Sequence, residues 1–290
     1  MKVILKGGLG NQLFQLGLGV LLSRKLNCEL EIDVSLLNPL VRGQYNRDVG
    51  VFNFALPGVS YSISNDYSSL NLFSRLKRFI LNRFYNHFHG FIPSVNSGAG
   101  FNILDGYFQS YRYYIDDIAY IKSLFTLRDV HRVEKVSLLE KEIQNSLSYV
   151  IHVRRGDYAE DASVASSHLI CFPSYYQRLI DSIESEKSDV TWFVFSDDTS
   201  WVRNNLSFSS NVVFVSELFL GYPAAPAIEI HLMSFGYAHV ISNSTFSWWG
   251  AFLKRSDGPV YTPSKWSRIS RFNNAQEMNL PSWTVVDVEG

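Results

Sequence analysis

An α/β fold, built as two facing Rossmann-like domains with parallel sheets, is the architecture this sequence predicts. Two observations carry it. Short β-branched, apolar stretches alternate with helical patterns, and several lack the polar alternation of a half-exposed strand, as in parallel sheets covered on both faces. The alternation occurs at both ends of the chain with irregular sequence between, which divides it into residues 1–137 and 138–290.

Bulk properties narrow the function. The chain is 46% hydrophobic and 18% charged, the balance of an ordered globular protein. A net charge of −1 lacks the basic footprint of a nucleic-acid binder. Cys28 and Cys171 are far apart and show neither metal-ligand spacing nor a disulfide framework, which fits a reducing compartment. The stretch Met1 to Lys6 is too short and interrupted for a secretion signal, and no run of 18 apolar residues occurs, so a soluble, cytoplasmic protein is expected. Asn243-Ser244-Thr245 matches a glycosylation sequon, but its place among the polar clusters below makes that match coincidental.

Val3 to Leu5 reads as a buried strand, and Gly7-Gly8-Leu9-Gly10-Asn11-Gln12 as a glycine-rich turn. From Leu13 to Leu22 the pattern is a helix apolar nearly all round, and Glu29 to Asp33 is the next strand. Such a turn at a helix N-terminus suits anions. The dinucleotide fingerprint is only partly met, since Gly8 and Gly10 fit but Leu13 stands where a third glycine belongs. Asn11 either caps the helix or offers its amide to sugar hydroxyls or a phosphate edge. Val34 to Asn71 is irregular, punctuated by Pro39, Gly43, Pro57 and Gly58. Leu72 to Phe88 reads as a basic amphipathic helix, either a core helix with a solvated face or one lying on an anionic membrane surface. The aromatic segment Gly106 to Tyr114 either stacks on a sugar ring or packs at a domain junction.

Leu138 to Leu147 reads as a helix joining the domains. Tyr149 to Val153 is a strand that breaks into Arg154-Arg155-Gly156-Asp157-Tyr158. Two guanidiniums at the end of a buried strand need an anionic partner. A diphosphate matches the planar donor fork of arginine, and an ion pair of Arg155 with Asp157 would also serve. After the loop Ala159 to Ser174 come a helix, Tyr175 to Ser185, and a strand, Thr191 to Phe195, that ends in Ser196-Asp197-Asp198. Val212 to Val215 is a strand, Ala227 to Phe235 a helix and His239 to Ile241 a strand. Ser242 to Thr245 is then a polar turn before the helix Phe246 to Leu253.

Ligands in open α/β sheets bind outside the carboxyl ends of the strands. Four polar clusters fall there on this reading: Gly7 to Asn11, Arg154 to Asp157, Asp197-Asp198, and Ser242 to Thr245. The last adds hydroxyls and free backbone N–H groups at a helix N-terminus, which suits phosphate.

Three motifs together resemble the bacterial α-1,2-fucosyltransferases of glycosyltransferase family 11. They are Gly7-Gly8-Leu9-Gly10-Asn11-Gln12-Leu13-Phe14-Gln15, the stretch His152 to Tyr158 with its arginine pair, and Ser242 to Gly250 with Ser244-Thr245-Phe246-Ser247-Trp248-Trp249. The resemblance implies a GT-B-like fold, GDP-β-L-fucose as donor, inversion at the anomeric carbon, and neither metal nor cofactor. It also implies an acceptor-side N-terminal domain and a donor-binding C-terminal one. Asp197 and Asp198 are adjacent, a poor geometry for both to meet one metal. By the same resemblance Arg154 carries the charge developing on the leaving diphosphate, and Arg155 shares that role or holds the loop. Glu229 takes the place of the carboxylate that pairs with guanine. His152, Asp197, Ser244, Thr245, Phe246 and Gly10 line the donor, Asn11 is essential, and Asp157 is a candidate base alongside Glu160, Asp161 and His168.

The acceptor expected is a galactose-containing glycan fucosylated at its 2-hydroxyl, in a bacterial surface polysaccharide such as O-antigen or its lipid-linked precursor. Peripheral membrane contact through that lipid would suit the basic helix. Two other classes compete: an NAD(P)-dependent oxidoreductase, suggested by the first βαβ unit and Asp33, and a nucleotide-sugar-binding protein without turnover.

Overall fold

A computed structural model of the protein describes residues 1–37, 49–65, 90–98, 102–155, 171–269 and 274–288. The chain forms two compact units, Met1–Thr126 and Leu127–Gly290, so the division falls ahead of the 137/138 boundary read from the sequence. Asp157, the basic stretch 72–88, and Glu160, Asp161 and His168 lie outside the described residues.

The first unit is built on strand β1 (Lys2–Ile4), helix α1 (Leu9–Leu26) and strand β2 (Leu30–Asp33). Helix α1 is buried on every side, which is why its sequence shows no polar face. Gly19 lets it lie directly on β1, because a Cβ there would stand 2.2 Å from the Val3 side chain. Arg24 and Lys25 in its last turn complement the helix dipole, and Asn27 closes it in the left-handed conformation (φ 47°). Strand β3 (Tyr61–Ser64) occurs where the sequence reads as irregular, and it is mostly exposed. Helix α2 (Pro93–Ser97) and strand β4 (Ile103–Leu104) follow, then helix α3 (Ile118–Leu124). The sheet runs β3-β2-β1-β4, with every pairing parallel. The aromatic segment before α3 is mostly scaffold. Tyr114 is fully buried and donates its hydroxyl to the Phe14 carbonyl (2.6 Å), while the Tyr113 hydroxyl accepts from the Ile92 N–H (2.8 Å).

In the second unit helix α4 (Glu134–Gln144) ends before Leu147, and strand β5 runs Leu147–Val153, two residues longer at its start than the sequence suggests. Helix α5 (Pro173–Glu186), strand β6 (Val190–Ser196), helix α6 (Thr199–Asn205), strand β7 (Asn211–Phe214) and helix α7 (Val215–Leu218) come next. They are followed by helix α8 (Ala225–Met233), strand β8 (Ala238–Val240) and helix α9 (Thr245–Phe252). Strand β9 (Val260–Pro263), helix α10 (Ala275–Met278) and strand β10 (Thr284–Val286) complete it. The sheet order is β10-β9-β8-β5-β6-β7, again parallel at every pairing. Strands β5 and β6 are buried on both faces, as helices on each side of a parallel sheet require. Among the described residues no helix is long and apolar enough to cross a membrane.

Candidate functional site

The four polar clusters do follow strand ends, one on the first sheet and three on the second. In the first unit the turn after β1 is held by the helix that follows it. Lys6 N–H donates to Gln15 Oε1 (2.9 Å), Gln15 Nε2 donates back to the Lys6 carbonyl (3.2 Å), and Gln12 Nε2 donates to the Gly7 carbonyl (3.0 Å). Gly7 sits at φ 78°, in the region that favours glycine, and a Cβ on it would stand 2.6 Å from Asn11 Nδ2. Gly8, not Asn11, is the helix cap. The Asn11 side chain is free of that duty, and its Oδ1 accepts a 2.8 Å hydrogen bond from Gln109 Nε2.

Gln109 comes from the segment after β4, which neighbours β1 in the sheet. The same segment supplies Asp105, 2.9 Å from Lys6 Nζ, and Tyr107, whose ring centroid lies 4.9 Å from that ammonium. Sequence reasoning missed Gln109 and Asp105 as partners of the glycine-rich turn. The only available signal was the density of polar-tipped residues after Leu104. Gly10 is a buried helical residue of α1, and Leu13 is buried core, so the position where a dinucleotide fingerprint needs glycine is filled by packing.

The second cluster gathers where β5, β6 and β8 end. Register pairs Val153 with Ser196, so Arg154 and Asp197 leave adjacent strands side by side. Arg154 Nη1 lies 2.6 Å from Asp197 Oδ2, and the Arg155 N–H donates to Asp197 Oδ1 (2.7 Å). The Arg155 guanidinium stacks over Trp201, 4.5 Å from the ring centroid. Asp198 has a structural duty, accepting from the Trp201 N–H (2.9 Å) to cap α6. Asp197, expected to line the donor, is thus also the group that holds both arginines.

His152 is buried, with Nδ1 3.1 Å from Ser242 Oγ and its ring 5.3 Å from that of Phe246. Burial pushes its pKa down to about 4, with Asp197 opposing and Arg154 adding to the fall, so the imidazole is neutral near pH 7. Glu229, half-buried on α8, is pushed up to about 7. Burial is the largest cause; a hydrogen bond with Ser216 opposes it, and the charge of Asp197 adds to it. Ser216 Oγ already accepts from the Ser196 N–H (3.0 Å), so its proton is directed to Glu229.

Ser242 N–H donates to Ser247 Oγ (3.1 Å) and Asn243 Nδ2 to the Trp266 carbonyl (3.3 Å), which fixes the turn before α9. Ser244 is the N-cap residue, yet its side chain makes no capping bond. The first-turn N–H groups of Thr245, Phe246 and Ser247 therefore lack an intrahelical acceptor, as at any helix start, and Thr245 and Phe246 are partly exposed there. Trp248 and Trp249 are fully buried and anchor the helix, with Trp248 Nε1 donating to the Met278 carbonyl (2.7 Å). Arginine, helix N-terminus, neutral imidazole, aromatic ring and titratable carboxylate together can hold a nucleotide diphosphate. Among the described residues no three His, Cys, Asp or Glu gather as a set able to hold a metal ion.

Comparison with known proteins bears on what this arrangement serves. The profile of glycosyl transferase family 11 matches residues 80–287. An alpha-1,2-colitosyltransferase of Escherichia coli is 28% identical over 93% of each chain. The O-antigen biosynthesis glycosyltransferase WbnK of Escherichia coli is 27% identical over 98% of this chain and 99% of its own. A galactoside 2-alpha-L-fucosyltransferase, Sec1 of Mus musculus, is 29% identical over 55% of this chain and 44% of its own. Among solved structures, the fucosyltransferase NodZ from Bradyrhizobium aligns at a TM-score of 0.51 and 13% identity, covering 87% of this chain and 92% of its own. That likeness shows the shared GT-B-like fold.

Proposed function

The chain belongs to glycosyl transferase family 11, and we propose that it transfers L-fucose from GDP-β-L-fucose to the 2-hydroxyl of a terminal galactose, with inversion and without a metal. With the family established the chain is a glycosyltransferase, so the oxidoreductase and the non-catalytic binding protein fall away. The observation that carries the finer reading is Arg154 at the end of β5, held by Asp197 on the second sheet.

Arg154 stabilises the negative charge that grows on the leaving diphosphate, assisted by the N–H groups at the start of α9. The ionised carboxylate of Glu229 accepts from the N1–H and N2–H₂ donors of guanine, with His152 and Phe246 beside the base. Arg155 supports the same loop, and Ser244 and Thr245 line the phosphates. Asn11 contacts the substrate, and the acceptor hydroxyl attacks the anomeric carbon opposite the departing GDP. Asp157 is the candidate base for the hydroxyl proton, a role that contributes about 10²–10⁴-fold in such reactions. Relatives named for O-antigen synthesis and for galactosides support a surface-glycan acceptor containing galactose, reached at the membrane where its carrier is a lipid.

Calorimetry with GDP in the presence of EDTA, and with UDP for comparison, tests the donor site. GDP binding that weakens by about 1.5–3 kcal/mol in Arg154→Ala supports it, as expected for a charge-assisted contact. A galactoside panel with fucosyl and colitosyl GDP donors then fixes the sugar. Binding of UDP in preference to GDP, a requirement for added metal, or transfer of colitose alone would overturn the corresponding part of the proposal.

A further inference from the structure

The second half of the glycine-rich motif's environment comes from 98 residues away, and it is built with strain. Phe108 occupies φ 52°, a left-handed conformation that costs a bulky residue about 1–3 kcal/mol. Its buried ring folds over Gly106, whose missing Cβ leaves the space, and packs edge-on against Tyr113 at 6.2 Å. The Ser110 N–H then donates to the Phe108 carbonyl (2.9 Å), closing a three-residue turn with Gln109 at its apex. From that apex Gln109 Nε2 reaches Asn11 Oδ1 at 2.8 Å.

We propose that Gln109 is a positioning residue: by donating to Asn11 Oδ1 it fixes the Asn11 carboxamide so that its Nδ2 protons are the group presented to substrate. This rests on the reading of Asn11 as a substrate contact. The contact carries the proposal: an amide is nearly symmetric in shape, and the 2.8 Å hydrogen bond to Gln109 is what holds the Asn11 carboxamide in one orientation. Gly7 completes the arrangement from below, since Nδ2 occupies the space a Cβ would take. The held Lys6–Asp105 pair at the same strand ends keeps the two segments together.

The test compares Gln109→Ala, the isosteric Gln109→Glu, Asn11→Ala and the double variant Asn11→Ala/Gln109→Ala, reading kcat, KM for the acceptor and GDP affinity. A glutamate keeps the shape but cannot donate, and it turns the Asn11 amide so that Nδ2 is consumed. Positioning therefore predicts that both Gln109 variants lose kcat on the order of 10²-fold, with GDP affinity unchanged. It further predicts that the double variant is no slower than Asn11→Ala alone, because Gln109 acts only through Asn11. A wild-type kcat in Gln109→Glu would overturn the proposal, as would losses that multiply in the double variant. A full rate in Asn11→Ala would remove the substrate role of Asn11 as well, which separates failure of that reading from failure of this one.

Discussion

Arg154 and Asp197 are register partners before they are an ion pair. Strands β5 and β6 pair residue for residue from Leu147 with Val190 to Val153 with Ser196, and the next residue on each strand is the one whose charge matters. The 2.6 Å contact is thus set by the sheet, and the guanidinium is aimed before any ligand arrives. Preorganised charge of this kind is worth most where charge develops during reaction.

Replacing Asp197 with asparagine should therefore damage turnover more than binding. The guanidinium keeps its charge for GDP but loses the partner that orients it. We expect kcat to fall by about 10–100-fold while GDP affinity changes by less than about tenfold, consistent with misplacement of a catalytic group. Steady-state kinetics beside GDP calorimetry check this; equal losses in both would assign Asp197 to ligand contact.

On the proposed role of Glu229, GDP affinity should depend on pH. Its carboxyl titrates at about 7 in the folded protein, above the ordinary 4.5, and only the ionised form accepts two guanine donors. GDP binding should tighten as pH rises from 6 to 8. Linkage gives the opposite sign for the ligand-free protein. Between about 4.5 and 7 the folded state holds a proton that the unfolded chain has released, so this group's contribution to stability falls as pH rises. Glu229→Gln should reduce the pH dependence of GDP affinity in that window to the part that comes from ionisation of the terminal phosphate of GDP. It should also flatten the stability profile relative to wild type, read as the difference between two denaturant series.

Gly7→Ala should cost stability and activity together. An alanine at φ 78° carries left-handed strain of about 1–2 kcal/mol. Its Cβ would also force Asn11 Nδ2 from its place, 2.6 Å away. We expect a lower thermal midpoint and a kcat loss comparable with that of Asn11→Ala, with GDP affinity retained. Gln12→Ala, which releases the Gly7 carbonyl from the other side, should show a milder form of the same pattern.

Much of this was legible in the sequence because the informative residues sit where strands end. The buried helix α1 announced itself through Leu13 to Leu22, and β5, β6 and β8 through apolar runs broken by Arg154, Asp197 and Ser242. Strand β3 was not legible, since its residues are mostly exposed and it carries no inward alternation. Strand β4 has only two residues, β9 ends in Pro263 and β10 is largely exposed, so none of them presents an apolar run. Pairings across long separations were also hidden. Sheet register gives Arg154 the Asp197 carboxylate, a partner distant in sequence. Nothing local to Asn11 points to Gln109. Its contact follows from β1 and β4 lying side by side, which only the folded sheet reveals.

The placement of β5 also shapes how the protein is made. It is the earliest strand of its unit to leave the ribosome, yet it lies inside the sheet, with β6 and β7 on one flank and β8, β9 and β10 on the other. A nascent chain that has reached Phe214 can complete one flank only, leaving the other edge of an apolar strand open until Ala238 to Val240 emerge. An unpaired edge is a template for wrong partners, and parallel pairings across long separations form slowly. Chains stalled or truncated between those points should be the ones that aggregate and recruit chaperones during synthesis.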